Sequence, residues 1–199
     1  MVKDGIYYAL GFAAGGLVVS YLASPWYGAP LFLVAAFCLY FFRDPDRPIP
    51  NGPVAVSPAD GKVVAIRRDS PDVTRISIFL NIFDVHVNRS PIAGRISEVR
   101  YRQGRFMPAN KELASARNEQ NMVTVENNGT RVTFSQIAGL IARRIVFYKH
   151  AGDNVSLGER VGLIKFGSRV DVFLGPEWEL MVKVGARVSA GSSVLAKKR

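Results

Sequence analysis

Residues Thr74–Leu80 read Thr-Arg-Ile-Ser-Ile-Phe-Leu, and this short run decides the fold class. Ile76, Ile78 and Leu80 stand at alternate positions, so an extended chain places all three side chains on one face. Comparable runs recur elsewhere in the chain; they are Lys62–Arg67, Arg131–Ile137, Val170–Leu174 and Leu180–Val184. Glycines and other turn-forming residues separate these runs. The sequence therefore predicts a mainly β (α+β) protein built on a small antiparallel sheet or barrel.

A weak internal repeat lies near the C-terminus. Segments 152–161 and 185–194 share the pattern G-x-x-V-x-x-G-x-x-V at an offset of 33 residues. Glycines suit tight turns, and a valine between two of them suits the corner of a small barrel. The pattern resembles the turns of biotinyl and lipoyl carrier domains, whose modified lysine stands beside methionine at a hairpin tip. The nearest approach here, Met181-Val182-Lys183, lies inside a predicted strand, so the repeat indicates a fold and not a carrier function.

The first part of the chain is apolar, since Gly5–Phe42 contains no Asp, Glu, Lys, Arg or His. Its first run, Gly5–Ser24, would be about 30 Å long as a helix, which is enough to cross a bilayer core. Pro25 and Gly28 break this helix. A second run, Trp26–Phe42, would be about 25 Å long as a helix.

Three interpretations of this region compete: a cleaved signal peptide, a helical hairpin buried in a soluble core, and a membrane hairpin that spans or re-enters the bilayer. The second apolar run disfavours a signal peptide, and the lack of charge disfavours a soluble core. We therefore expect a membrane hairpin. Lys3 and Arg43 flank it, which predicts that both of its ends lie in the cytoplasm.

We expect three parts in the chain. Residues 1–42 form the membrane-anchoring hairpin, residues 43–56 form a linker, and residues 57–199 form the β-domain. Four prolines between positions 45 and 53 make the linker stiff. Within the β-domain, Ala109–Gln120 is predicted to be a polar helix that lies on the surface or forms a lid.

Composition limits the classes of function. Apolar residues make up 48% of the chain and charged residues 21%, which excludes disorder as its main state. The single cysteine, Cys38, excludes an intrachain disulfide and a Cys-rich zinc site, and we expect no metal. A net charge of +10 and a pI near 10.0 favour an anionic partner, namely nucleic acid, a phospholipid surface or a phosphorylated substrate.

Residues able to carry chemistry are few. The two histidines are His86, between Val85 and Val87, and His150, in a predicted exposed turn. Asp60 precedes a glycine, and an Asp-Gly pair by itself predicts no more than a turn. Ser168 follows Gly167 just before a predicted strand. Taken singly, none of these residues identifies a site.

Taken together and in order, six short segments resemble the proenzymes of the phosphatidylserine decarboxylase family in their short prokaryotic form. The segments are Phe41–Arg47, Ser57–Gly61, Asp84–Pro91, Asn118–Asn121, Gln136–Gly139 with Ala142–Ile145, and Phe166–Asp171. Each is weak alone, but together they cover essentially the whole chain, the apolar region included. The resemblance implies an enzyme, a pyruvoyl-dependent carboxy-lyase of phospholipid biosynthesis.

The resemblance also implies self-processing. In that family the precursor cuts itself between a glycine and a serine, which here are Gly167 and Ser168. The products would be a large chain, residues 1–167, and a small chain, residues 168–199. The serine becomes a covalent pyruvoyl group that serves as cofactor and electron sink. Glycine suits the cut because it lacks a Cβ and leaves its carbonyl open to attack.

The family's Asp-His-Ser arrangement maps onto Asp60, His86 and Ser168. His86 is the expected general base and acid, and Asp60 is expected to fix its tautomer. The chain departs from some members at Arg89, where they carry a second histidine implicated in self-cleavage. His86 then serves both self-cleavage and decarboxylation, or another group takes one of these roles.

The implied reaction converts phosphatidylserine to phosphatidylethanolamine and CO2 at the cytoplasmic face of the cell membrane. Arg43, Arg47, Arg143 and Arg144 are candidates for holding the anionic headgroup. The implied partners are the phospholipid substrate, the membrane, the two chains of one precursor and, in a homodimer, a second copy.

Three alternatives stay open. The substrate could be an archaeal-type ether-linked analogue, because the reacting headgroup would be the same. The chain could instead be a non-catalytic, membrane-anchored β-barrel carrier or binding module, which would stay uncut. A nucleic-acid binder is suggested by the pI alone and lacks an interleaved aromatic and basic stripe, so we expect no nucleic-acid partner.

Overall fold

The computed structural model describes residues 2–108, 115, 117–139, 144–165 and 168–199. The chain divides into two compact units, Met1–Asp46 and Arg47–Arg199. The boundary lies inside the predicted linker, residues 43–56.

The smaller unit is a pair of apolar helices. Helix α1 spans Lys3–Leu22, and helix α2 spans Pro25–Phe41 with a proline at its first position. The Val2 amide donates to the Phe42 carbonyl at 3.1 Å, so the chain enters and leaves the pair at the same end. In the described part of the chain, α1 is the one helix long and apolar enough to cross a membrane, and α2 is a shorter apolar helix.

A glycine contact sets the spacing of α1 and α2. A Cβ atom added to Gly28 would lie 2.5 Å from the Gly16 carbonyl oxygen and would overlap the Ser20 hydroxyl. The two backbones therefore approach more closely than any side chain at position 28 would allow. Large apolar side chains such as Tyr21 and Trp26 are left exposed on this unit.

The larger unit is built from strands. Those in the described residues are β1 Val54–Val56, β2 Gly61–Ser70, β3 Val73–Leu80, β4 Val87–Arg89, β5 Gly94–Arg102, β6 Gln120–Asn127, β7 Thr130–Ile137, β8 Arg144–Phe147, β9 Asn154–Val155, β10 Arg160–Lys165, β11 Ser168–Leu174, β12 Trp178–Leu180, β13 Arg187–Val188 and β14 Val194–Lys198. The pairs among these strands are antiparallel. Strand β1 takes in the last three residues of the predicted linker because it pairs with β14.

The strands form three sheets. Eight strands make one sheet in the order β13-β2-β3-β11-β7-β6-β5-β9. The two three-stranded sheets have the orders β1-β14-β12 and β4-β10-β8. Strand β11 pairs with β3 on one side and with β7 on the other, so it is a central strand of the large sheet.

The two faces of the large sheet differ in character along β11. Val170 and Val172 pair with Ile78 and Ile76, and all four side chains are buried in the main hydrophobic core. Directly paired residues of an antiparallel sheet share a face, and successive residues alternate. Residues 169 and 171 therefore lie on the opposite face of β11.

The structure shows that the C-terminal repeat has matching partners elsewhere. Residues 57–63 pack against residues 185–191, and we call this pair of segments corner 1. Residues 90–96 pack against residues 152–158 through equivalent backbone hydrogen bonds, and we call this pair corner 2. The Gly191 amide donates to the Ser57 carbonyl at 2.8 Å in corner 1, and the equivalent bond in corner 2 is 2.9 Å. All four repeat glycines have positive φ: Gly152 at 100°, Gly158 at 71°, Gly185 at 91° and Gly191 at 78°. The larger unit therefore contains an internal duplication with an offset of 33 residues.

The predicted fold class is confirmed: the protein is mainly β, with antiparallel sheets preceded by an apolar helical pair. The predicted strand Leu180–Val184 is wrong beyond its first residue, because β12 ends at Leu180 opposite Ala196 and the chain then crosses to β2. For the predicted helix over 109–120, positions 109–114 and 116 lie outside the described residues. Its predicted end is wrong, because Gln120 already begins β6.

Candidate active site

Ser168 is the first residue of β11 and pairs in register with Leu80. Its exposed surface is 0%, and its Oγ has no hydrogen-bond partner among the described residues. A buried hydroxyl normally finds a partner, because leaving it unbonded costs about 1–3 kcal/mol. An unbonded one at this position is therefore a candidate reactive group.

The residues just before Ser168 connect two sheets. Strand β10 ends at Lys165 in the sheet with β4 and β8, whereas β11 begins at Ser168 in the large sheet. Gly167, the predicted partner in cleavage, lies outside the described residues. The predicted scissile bond thus falls between two separately hydrogen-bonded strands.

His86 lies directly before β4 and is buried. Its backbone carbonyl accepts from the Ile164 amide at 3.2 Å, which brings it beside the end of β10. Its Nδ1 lies 2.9 Å from the Asp84 carbonyl oxygen. A carbonyl only accepts, so Nδ1 carries the proton and Nε2 of the neutral ring keeps its lone pair. The role of His86 as general base and acid stays a prediction.

A tight turn holds the Asp84 carbonyl in place. The Asp84 carboxylate accepts from the Asn81 amide at 2.9 Å and from the Arg187 guanidinium at 2.9 Å. The Asn81 side chain in turn accepts from the Phe83 amide at 2.7 Å. These bonds fix the path of the chain between Leu80, beside Ser168, and the histidine.

Asp60 is largely buried and carries two hydrogen bonds to its carboxylate. The Arg47 guanidinium lies 2.7 Å from Oδ2, and the Ala190 amide donates to Oδ1 at 2.8 Å. Burial raises the pKa of Asp60 and the nearby Asp84 charge adds to the rise, while the Ala190 amide and Arg47 oppose it. The expectation that Asp60 orients His86 stays a prediction.

A chain of buried amides, which the sequence analysis missed, links the large sheet to β4. Asn121 Nδ2 donates to Gln136 Oε1 at 3.1 Å, and Gln136 Nε2 donates to Asn88 Oδ1 at 2.9 Å. Asn88 Nδ2 then donates to the Pro58 carbonyl at 3.4 Å. Gln136 pairs with Val170, two residues after the candidate serine. The sequence did contain a signal for this chain of amides. Gln136 stands at an alternate position with Val132 and Phe134, so the pattern of the strand places an amide side chain on the core face.

Residues 34–196 match the model of a family described as phosphatidylserine decarboxylase. The chain belongs to the phosphatidylserine decarboxylase family. Similar proteins named phosphatidylserine decarboxylase proenzyme occur in Solibacter usitatus (63% identity, covering 100% of this chain and 97% of that protein) and Desulfotalea psychrophila (43%, covering 99% and 96%). A third, from Cupriavidus taiwanensis, is 43% identical and covers 94% of this chain and 92% of that protein. The predicted family and enzyme class, a decarboxylase, are confirmed.

In this member of the phosphatidylserine decarboxylase family, Arg89 is buried. Its guanidinium donates to the Gly158 carbonyl at 3.1 Å, and its backbone amide donates to the Pro58 carbonyl at 2.9 Å. Arg89 therefore ties corner 1 to corner 2. The other histidine of the chain, His150, is 88% exposed beside Asp153, as the predicted turn implied.

The predicted headgroup cations lie in different settings. Arg43 follows α2, with its guanidinium 3.9 Å from the centre of the Tyr40 ring, and Arg47 pairs with Asp60. Arg144 is exposed at the start of β8, and Arg143 lies outside the described residues. Their role in binding a headgroup stays a prediction.

A buried ionic cluster lies on the second face of β11, directly after Ser168. Asp171 Oδ1 accepts from Arg169 Nε at 2.7 Å, and both side chains are 1% exposed. Its Oδ2 accepts from the Ser115 hydroxyl at 2.7 Å and lies 3.4 Å from Arg75 Nη1. The cluster holds the first residues of β11 in place. By resemblance to the phosphatidylserine decarboxylase family, β11 begins the small chain.

Proposed function

We propose that this protein is a membrane-bound phosphatidylserine decarboxylase that forms phosphatidylethanolamine and CO2 with a pyruvoyl group made from Ser168. The observation that carries the proposal is the buried Ser168 hydroxyl at the start of a central strand, which has no hydrogen-bond partner in the part of the chain that the structure describes. Family membership and the names of the similar proteins support the substrate and the processing.

The proposed self-cleavage starts at the hydroxyl. Ser168 Oγ attacks the Gly167 carbonyl carbon, the peptide C–N bond breaks, and an ester takes its place. His86 accepts the hydroxyl proton at Nε2 and returns it to the departing nitrogen. Loss of the Ser168 Cα proton then expels the Gly167 carboxylate, and water replaces the nitrogen with a carbonyl oxygen, releasing ammonia. The Asp84 carbonyl supports the histidine by holding the proton on Nδ1.

The burial of Ser168 fits an uncharged chain end. An ordinary ammonium terminus at a fully buried position would pay a large desolvation cost, whereas a pyruvoyl terminus carries no charge. When bound to substrate, the group supplies the electron sink for loss of CO2. His86 then returns a proton to the headgroup carbon.

The helical pair supports the membrane part of the proposal. Its two ends lie together through the bond between Val2 and Phe42, so Lys3 and Arg43 fall on the same side of a bilayer. Basic residues at both ends favour the cytoplasmic side. Arg43, Arg47, Arg143 and Arg144 remain the proposed headgroup cations, and the homodimer remains a prediction.

Denaturing mass spectrometry of the purified full-length protein tests the proposal. We expect wild type to give two pieces, Met1–Gly167 and Ser168–Arg199 with a blocked start, and to release CO2 from phosphatidylserine. Ser168→Ala should stay whole and inactive, because it lacks the nucleophile. Ser192→Ala is the matched control, since Ser192 Oγ is also buried without a partner among the described residues, and it should be cut normally. A wild-type chain that stays whole after long incubation would contradict the proposal.

A further inference from the structure

Two loops near Ser168 expose large apolar side chains. The turn 81–84 follows Leu80, the register partner of Ser168, and its Phe83 is 63% exposed. Three residues of extended chain span about 10 Å, so the Phe83 Cα lies within about 10 Å of the Cα of Leu80. The backbone amide of Phe83 is held by Asn81, so the ring stands on a fixed turn.

The second loop, residues 181–186, connects β12 to β13. Met181 is 48% exposed and Val184 is 56% exposed. The loop is pinned at Gly185, whose amide donates to the Val63 carbonyl at 2.8 Å. Of the five large apolar side chains exposed in the described part of the larger unit, three lie in these two loops.

The Arg187–Asp84 ion pair joins the two loops at 2.9 Å. Lys62 pairs in register with Arg187, so their side chains share a face, and both side chains are exposed. Lys183 is also exposed. Asp84 is the one acidic residue in segments 81–86 and 181–186, and Arg187 neutralises it.

We propose that Phe83, Met181 and Val184, together with Lys62 and Lys183, form a docking patch by which the β-domain itself contacts an anionic lipid surface, while Arg187 offsets the charge of Asp84. The proposal rests on the proposed function, because a lipid substrate must reach Ser168 from a bilayer. Exposed apolar groups among cations are what an anionic interface binds: the rings and aliphatic chains enter the acyl boundary, and the cations meet the headgroups. The patch places this contact next to the strand that begins with Ser168.

Depth-dependent fluorescence quenching tests contact directly in the full-length chain. Trp26→Phe removes an exposed tryptophan from the helical unit and leaves buried Trp178 as background. Phe83→Trp in this background, reconstituted in vesicles of phosphatidylcholine and phosphatidylglycerol, should be quenched by brominated lipids. Tyr148→Trp is the matched control, because Tyr148 is also exposed but lies outside both loops, and it should not be quenched.

Turnover measurements separate docking from chemistry. Phe83→Ala should leave self-cleavage and turnover of a dispersed short-chain substrate unchanged, since the backbone bonds of its turn remain. It should slow turnover of vesicle-embedded substrate about tenfold, the loss expected for one buried aromatic contact. Lys183→Gln should slow vesicle turnover about fivefold when phosphatidylglycerol is present, and less in its absence, where phosphatidylserine alone supplies the negative charge.

The proposed patch would be wrong if brominated lipids failed to quench Phe83→Trp and Phe83→Ala turned over vesicle-embedded substrate at the normal rate. Equal loss of short-chain and vesicle turnover would also overturn it, because the ring would then serve the site and not the membrane. Failure of wild type to cleave or to release CO2 would instead count against the proposed function, while the quenching result would still decide whether the patch meets lipid.

Discussion

Asp171→Asn should be strongly destabilising. Asp171 lies between two guanidinium groups, with Arg169 Nε at 2.7 Å and Arg75 Nη1 at 3.4 Å, and the Asp171 and Arg169 side chains are only 1% exposed. Removing one partner of a buried ion pair costs about 3–5 kcal/mol, because the remaining charge stays buried. Arg75 keeps Asp69 at 3.0 Å, so we take the lower end, about 3 kcal/mol. For a domain of this size that loss lowers Tm by about 6–12 °C.

Thermal denaturation followed by near-ultraviolet circular dichroism measures this loss. The Ser168→Ala background keeps every molecule as one uncut chain. Ser115→Ala is the matched control, because it removes a neutral hydrogen bond of 2.7 Å to the same carboxylate and should cost only about 1 kcal/mol. Should Asp171→Asn lower Tm no more than this control, the cluster would not be the clamp on β11 that its geometry indicates.

Two further comparisons use matched pairs. His86→Ala should slow self-cleavage, followed on a denaturing gel, by about two to four orders of magnitude. A folded Arg89→Ala variant should still be cut, because the Arg89 guanidinium donates to the backbone carbonyl of Gly158. The opposite pair of results would mean that His86 is not the base. Gly28→Leu should force α1 and α2 apart and reduce the yield of protein extracted from membranes, whereas Gly11→Leu, with open space at its Cβ, should not. Equal yields of the two variants would mean that the helices do not pack through Gly28.

Regular alternation made much of the sheet readable from sequence. The runs beginning at Lys62, Thr74, Arg131 and Val170 all lie in strands, because each buries one face against the core. Leu180–Val184 has similar composition, but strand length depends on the partner: after Met181, whose amide donates to the Leu195 carbonyl at 2.8 Å, the chain leaves β14 and turns toward β2. Composition alone carries no information on that partner.

The site was less readable than the sheet. Order of motifs identified Ser168 and His86 as candidates, but the bond from Nδ1 to a backbone carbonyl depends on the conformation of the turn 81–84. The same holds for Asp60, whose contacts with Arg47 and the Ala190 amide join residues far apart in the chain. The turn glycines of the repeat were predictable because positive φ is a local property.

The proposed cut after residue 167 would affect the two corners of the internal duplication differently. Corner 2 is closed by residues 152–158 and remains part of one polypeptide, whereas corner 1 is closed by residues 185–191, which then belong to the other. Corner 1 alone carries Asp60, since the equivalent position in corner 2 is Ala93. Corner 1 would thus become a non-covalent assembly of two polypeptides, while corner 2 would stay within one continuous chain. Separating the two pieces would break the backbone bonds that close corner 1 and would leave those of corner 2 within one polypeptide.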